Sequence, residues 1–321
     1  MWFYFLIALG TLITISSNNW LSCWIGLEIN LISFIPLLFK KTKKKSIESS
    51  LIYFLFQSFA SFIFLFSILI TFYLNIYNFI NYLILISLLI KIGRAPFHFW
   101  ILLVIENLNW ISRFILITWQ KIASFIILFI CLNNKIIFIF IIFCSFFRSI
   151  FGLNQISLQK IIGYSSINHI RWLLRRIIFR KFLWFNYFLF YFIILLRIVI
   201  IFYKFNLFYL NQIYIFWKNF FLKLIIFFNL LSIGGLPPFL GFFPKILVIN
   251  KLIDLKLFVL IFFIILFILI VLFYYLRIIY FSLILNSLNL KNYFFKNNLN
   301  NFILYFRLFN NFILIIIFLF F

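Results

Sequence analysis

The chain has 321 residues, 67% hydrophobic and 25% aromatic, with 10% charged and a mean hydropathy of +1.24. A soluble domain is roughly 45–50% apolar and about 25% charged; no soluble fold could turn this much apolar surface inward, so lipid is the solvent. The net charge of +24 does not mark a nucleic-acid binder, because Lys and Arg stand at the ends of apolar runs or inside them rather than on one solvated face.

A spanning helix needs about 20 residues, and the apolar runs predict eleven, over 2–17, 20–39, 50–74, 78–103, 109–131, 135–152, 158–175, 182–203, 220–249, 255–284 and 302–321. The chain opens Met1-Trp2-Phe3 directly into the first run, without a basic or Arg/Ser-rich leader, so no cleavable targeting segment is expected. Short polar breaks follow the first, second, fifth and tenth runs: Ser16-Ser17-Asn18-Asn19, Lys40 to Glu48, Asn133-Asn134 and Asn286 to Asn301. Eleven crossings put the termini on opposite sides. Lys40, Lys41, Lys43, Lys44, Lys45, Lys160, Lys204, Lys218, Lys291 and Lys296 fall on the N-terminal side, against Lys135, Lys181, Lys251 and Lys256 on the other. By the positive-inside rule the N-terminus is inside.

Two helices are punctuated. The fourth contains Gly93-Arg94-Ala95-Pro96; the ninth contains Gly234-Gly235-Leu236-Pro237-Pro238, then Gly241 and Pro244. If helices 1–5 (about 1–131) and 6–10 (about 135–284) are two units, both breaks fall in a unit's fourth helix, and an odd helix number makes the copies run in opposite senses. Paired broken helices of this kind belong to inverted-repeat transporters. Backbone freed by a break must line a protein-enclosed or hydrated interior, since lipid cannot satisfy it. The expected fold is therefore an all-α polytopic membrane protein, one domain of two inverted five-helix repeats plus a C-terminal helix at about 302–321.

Ionisable groups at membrane depth are few. The carboxylates are Glu28, Glu48, Glu106 and Asp254. Glu28 lies mid-helix between Trp24-Ile25-Gly26-Leu27 and Ile29-Asn30-Leu31; Lys91 precedes the first break, Lys121 is central in helix 5, and Lys245 follows the second break. A charge at the bilayer centre costs on the order of 2.5–3.5 kcal/mol, and such groups usually face a bundle interior along an ion or proton path. A carboxylate near an ammonium favours its protonated form, so changing the Glu28–Lys91 distance could switch whether the lysine holds its proton. The competing reading is a static ion pair with lysines snorkelling to an interface. His98 and His169 could relay protons or sit as hydrogen-bonded interior histidines. Cys23, Cys131 and Cys144 lie in apolar runs without a C-x-x-C pair, so neither zinc nor an iron–sulfur cluster is indicated, and no metal site is expected.

Several stretches together resemble the NADH–ubiquinone oxidoreductase chain 2 family, the antiporter-like subunits of mitochondrial respiratory complex I, in its invertebrate form. They are Ser16-Ser17-Asn18-Asn19-Trp20, Gly26-Leu27-Glu28-Ile29-Asn30-Leu31, Ser33-Phe34-Ile35-Pro36-Leu37, Ala95-Pro96-Phe97-His98-Phe99-Trp100, Thr118-Trp119-Gln120-Lys121-Ile122-Ala123, Tyr164-Ser165-Ser166-Ile167-Asn168-His169 and Gly234 to Phe242. Beyond residue 250 only Tyr274-Tyr275-Leu276-Arg277 contributes. The resemblance implies a proton-translocating subunit of the mitochondrial inner membrane, N-terminus in the matrix and Phe321 towards the intermembrane space. It implies no redox group on this chain: NADH, FMN, iron–sulfur clusters and ubiquinone are expected in other subunits. Partners are then other membrane-arm subunits, neighbouring antiporter-like chains among them, and phospholipids. By position Glu28, Lys91, Lys121 and Lys245 correspond to the family's hydrated axis, the last linked to the exit side or the neighbouring subunit. Where the family carries Pro-Glu after the Phe-His-Phe-Trp stretch, Leu102-Leu103 stand here. A stand-alone monovalent cation/proton antiporter is the alternative function.

The arginines are unusual. Arg94, Arg113, Arg148, Arg171, Arg175, Arg176, Arg180 and Arg197 crowd the middle of the chain, several inside apolar runs, and Met occurs once. Invertebrate mitochondria read AGA as Ser and AUA as Met. A standard-type reading of those codons would produce both anomalies, putting Arg for Ser and Ile for Met.

Overall fold

With no water in the hydrocarbon core, each backbone amide must find its acceptor within the chain, which restricts a spanning segment to helix or closed barrel. A computed structural model describes residues 2–39, 44–73, 77–130, 134–179, 183–215, 220–237 and 239–284, and these are helical almost throughout. Among them, in chain order, are α1 (Trp2–Ser16), α2 (Trp20–Leu38), α3 (Lys44–Tyr73), α4 (Tyr77–Ile92), α5 (Phe99–Asn107), α6 (Trp110–Ile117), α7 (Trp119–Ile130) and α8 (Asn134–Leu153). They are followed by α9 (Leu158–Phe179), α10 (Leu183–Lys204), α11 (Leu210–Ile215), α12 (Phe220–Gly234), α13 (Phe243–Asp254) and α14 (Phe258–Ile284). Among the described residues five segments are long and apolar enough to cross a membrane: Trp20–Leu38, Lys44–Thr71, Trp110–Ile130, Trp184–Lys204 and Phe258–Tyr280.

The expected helix at 302–321 lies outside the described residues, as do Lys40, Lys41, Lys43, Cys131, Asn133, Lys181, Lys218, Pro238, Lys291 and Lys296. Elsewhere the segments match the runs read from sequence, with informative differences. Helix 3 begins at Lys44 rather than 50, its first turns held by Ser49 and Ser50, whose hydroxyls donate to the carbonyls of Ser46 and Ile47. Residues 109–131 form two helices, α6 and α7, interrupted at Thr118. The short α11 was not anticipated.

The chain divides into two compact units, Met1–Cys144 with Ile162–Lys181, and Ser145–Ile161 with Phe182–Phe321. In the first, α1 and α2 approach closely because Gly10 and Gly26 face each other. A Cβ on Gly10 would stand 3.0 Å from the Gly26 carbonyl oxygen, and one on Gly26 would stand 2.9 Å from that of Gly10. Hydroxyls in both units fold back on their own helices, as Thr14 does to Thr11, Ser67 to Phe64 and Ser232 to Asn229. A polar atom thereby enters the apolar interior with its hydrogen bond already made.

The two breaks end their helices alike. After α4, Gly93 has φ +67°, its N–H donates to Ile90 (2.9 Å), and the Arg94 N–H donates to Leu89 (3.1 Å). After α12, Gly235 has φ +78°, its N–H donates to Ser232 (3.2 Å), and the Leu236 N–H donates to Leu231 (3.3 Å). Each is a Schellman cap with glycine in the left-handed position, where a side chain would be strained.

Candidate functional site

A helix that stops inside a membrane leaves carbonyls without intrahelical donors, and the residues that answer them define the site. At the first break the Gln57 amide on α3 donates to the Lys91 carbonyl (3.0 Å) and the Trp100 indole on α5 donates to that of Ile90 (3.1 Å). With the end of α4 held, Lys91 projects from its last turn. Its ammonium lies 4.0 Å from Glu28 Oε1 on α2, an ion pair too long for a direct hydrogen bond. The lysine side chain is 5% exposed and the glutamate 24%.

Lys121 stands in the first turn of α7, just past the interruption at Thr118. The Thr118 hydroxyl donates to the Phe114 carbonyl (2.7 Å), closing α6, and the Lys121 N–H donates to the Thr118 carbonyl (3.2 Å), opening α7. The Lys121 ammonium donates to the Ser166 hydroxyl on α9 (3.4 Å). His169 follows Ser166 by three residues, on the same helical face, and is buried. Lys91 and Lys121 line one cavity of about 20 Å³, with Asn30, Tyr53, Gln57 and Gln120, space for about one water. Asn30 Oδ1 and Gln120 Nε2 are buried atoms with no hydrogen-bond partner among the described residues. His98, also buried, lies within the break, its Nδ1 3.2 Å from the Pro96 carbonyl.

Lys245 belongs to the second unit. Its ammonium donates to the carbonyls of Ile233 (3.0 Å) and Gly234, at the end of α12. The lysine thus performs at the second break the service that Gln57 and Trp100 perform at the first. The structure therefore brings Lys91 and Lys121 to one cavity in the first unit, with Glu28 paired to Lys91 and His98 and His169 in the same unit, and holds Lys245 at the break of the second.

Sequence reasoning missed Gln57, Trp100 and Ser166. Trp100 is part of a motif read from the sequence, but its indole partner is a tertiary fact. Gln57 and Ser166 lie 34 and 45 residues from their lysine partners, and nothing local signals the pairing. Among the described residues no three His, Cys, Asp or Glu are grouped so as to hold a metal ion.

Residues 17–272 match the family described as NADH:quinone oxidoreductase/Mrp antiporter, TM. The NADH-ubiquinone oxidoreductase chain 2 of Anopheles gambiae is 48% identical over 260 residues, 78% of this chain and 76% of that one. The same-named chain of Locusta migratoria is 40% identical over 258 residues, 78% of this chain and 75% of that one.

The chain belongs to the NADH-ubiquinone oxidoreductase chain 2 family.

The fold of this family extends to distant solved structures. A chain of respiratory complex I from Thermus thermophilus superposes with TM-score 0.74 at 19% identity, covering 89% of this chain and 70% of that one. A chain of the Mrp complex from Dietzia sp. gives 0.76 at 14% identity, covering 85% and 58%. At such identity the likeness establishes an antiporter-like membrane fold. The five described spans belong to that fold.

Proposed function

We propose that this chain is a proton-translocating membrane-arm subunit of respiratory complex I in the mitochondrial inner membrane. The carrying observation is the pair Lys91 and Lys121 on a one-water cavity beside a helix break, with Glu28 ion-paired to Lys91, in a chain of the NADH-ubiquinone oxidoreductase chain 2 family. In this reading Lys91 exchanges a proton with Lys121 through a water held near Asn30 and Gln120. Glu28 sets Lys91's charge by its distance, and Ser166 and His169 continue the path past Lys121. Lys245 and His98 serve the same axis, Lys245 towards the exit side or a neighbouring antiporter-like subunit.

The architecture proposed with it is two inverted five-helix repeats, which the shared Schellman caps at the two breaks favour. The chain carries no redox group of its own; NADH, FMN, iron–sulfur clusters and ubiquinone belong to other subunits. The lysine distribution puts the N-terminus in the matrix and the C-terminus in the intermembrane space.

Lys121→Met removes the charge while keeping length and apolarity. The variant complex is expected to assemble, with NADH-driven proton pumping well below wild type; full pumping by an assembled variant would overturn the role of Lys121. The likeness to a chain of an Mrp complex favours a second reading, a cation/proton antiporter independent of complex I. On a detergent native gel the first reading requires co-migration with a very large NADH-oxidising complex, and the second requires its absence.

A further inference from the structure

Arg277 stands three residues from the end of the Phe258–Tyr280 span, where a long basic side chain reaches the level of lipid headgroups. It donates through Nη2 to the Leu153 carbonyl, the last of α8. A guanidinium carries five N–H donors, so capping one carbonyl leaves most of the fork for another acceptor. Among the described residues no carboxylate takes it. Asp254 is paired with Lys251 at 2.8 Å, and none of the chain's other three acidic residues lines the space around Arg277.

That space is an open cavity of about 410 Å³ within the second unit, lined by Arg277, Asn154, Gln155, Ile156 and Leu210 among others, a volume in the range of small-ligand pockets. The Gln155 amide donates to the Phe151 carbonyl (3.1 Å), while the Asn154 side chain is exposed. The N-terminus of α9, at Leu158, follows directly and adds its positive end to the same edge. Ile156, Tyr209 and Tyr280 beside the cavity are all more than half exposed, as in the aromatic belt of a membrane interface. From Tyr280 an exposed stripe at helical spacing, Phe273, Leu269, Leu266 and Phe262, runs down α14.

We propose that this cavity binds a phosphoryl group, held by the Arg277 fork with the Asn154 amide as a second donor, and that its bearer is a phospholipid headgroup. The α14 stripe gives acyl chains a surface to lie on, which free phosphate would not need. Arg matches phosphate oxygens in a planar, bidentate way, and basic pockets between spanning helices are a recurrent way to hold headgroups.

The test uses the assembled complex in phosphatidylcholine nanodiscs carrying a phosphatidylethanolamine with a photophore on its headgroup, followed by mapping of labelled peptides. Label is expected on residues 150–156 and 277–280, reduced about tenfold by Arg277→Gln, the loss of a charge-assisted bidentate contact. It is expected to be retained in part by Arg277→Lys and insensitive to excess inorganic phosphate. Displacement by phosphate would keep the phosphoryl site but overturn the phospholipid as its bearer. Absence of label there in the wild type, or equal label in Arg277→Gln, would overturn the site. Should Arg277→Gln fail to assemble, Asn154→Ala keeps the Leu153 contact and is expected to lower labelling several-fold; unchanged labelling in that variant would overturn the site.

Discussion

Lys245 reaches the end of α12 because position 235 has no side chain: a Cβ there would stand 2.7 Å from Lys245 Cδ and 2.8 Å from Cε. Gly235→Ala would evict the ammonium from two carbonyls and also put an L side chain at φ +78°, a conformation that costs roughly 1–2 kcal/mol. Less assembled complex and lower coupled turnover per assembled complex are expected, read on native gels and by NADH-driven pumping; wild-type values for both would show that the contact is idle. Glu28→Gln leaves Lys91 buried without its counter-charge. The cost falls below the roughly 3–5 kcal/mol of breaking a fully buried pair, because Glu28 is 24% exposed, so assembly with weakened pumping is the expected outcome. The arginines divide. Arg113 donates from Nε to the Ile105 carbonyl (2.9 Å) and stacks on Trp110, while Arg148 donates to the hydroxyls of Tyr274 (3.1 Å) and Tyr275 (3.2 Å). Arg94 is fully buried with the Cys144 thiol beside it, and no oxygen accepts from its three side-chain nitrogens among the described residues. A buried charge with only a weak thiol partner is costly. Peptide masses of the purified chain are expected to show serine at position 94. Arginine there, and at Arg148 with its tyrosines, would mean that AGA is read as Arg.

Helix breaks were legible where only glycine could make them. Gly93 and Gly234-Gly235 stand out in apolar runs because glycine takes the left-handed position most cheaply, and both proved to be Schellman caps, whereas Asn206 and Lys256 take that position after α10 and α13 without such a mark. The interruption at Thr118 left no such mark, since threonine sits readily in a helix and its capping role needs only its own hydroxyl and the Phe114 carbonyl. Glu28, Lys91, Lys121 and Lys245 were visible because each is expensive in lipid. Their partners were not, because Gln57 and Ser166 are cheap residues whose meaning comes from the helix opposite. The α1–α2 contact makes this dependence testable. Gly26 is two residues before Glu28, and Gly26→Leu would drive a side chain into Thr14 and the Gly10 carbonyl. Overpacking of this kind costs roughly 1–3 kcal/mol. The variant is expected to assemble poorly, and any assembled fraction to pump weakly because α2 no longer presents Glu28 to Lys91; normal assembly would show that the two helices can separate without harm.

At the scale of the whole molecule, composition alone assigned the solvent, since a chain 67% hydrophobic has nowhere but lipid to put its surface. The proposed path through the first unit is a different matter, because little space lies along it. A water occupies about 30 Å³ of the liquid and needs only one probe-sized void, whereas a hard metal cation keeps a shell of about six oxygens. The cavity that Lys91 and Lys121 line, about 20 Å³, is small beside a sodium ion that carries such a shell. A proton needs no volume of its own, because it arrives on one atom and leaves from another. On the proposed path such narrowness would pass a proton carried on one water and hold back a hydrated sodium ion by size. NADH-driven acidification by the assembled complex is accordingly expected to run at the same rate in sodium-free and sodium-rich buffer.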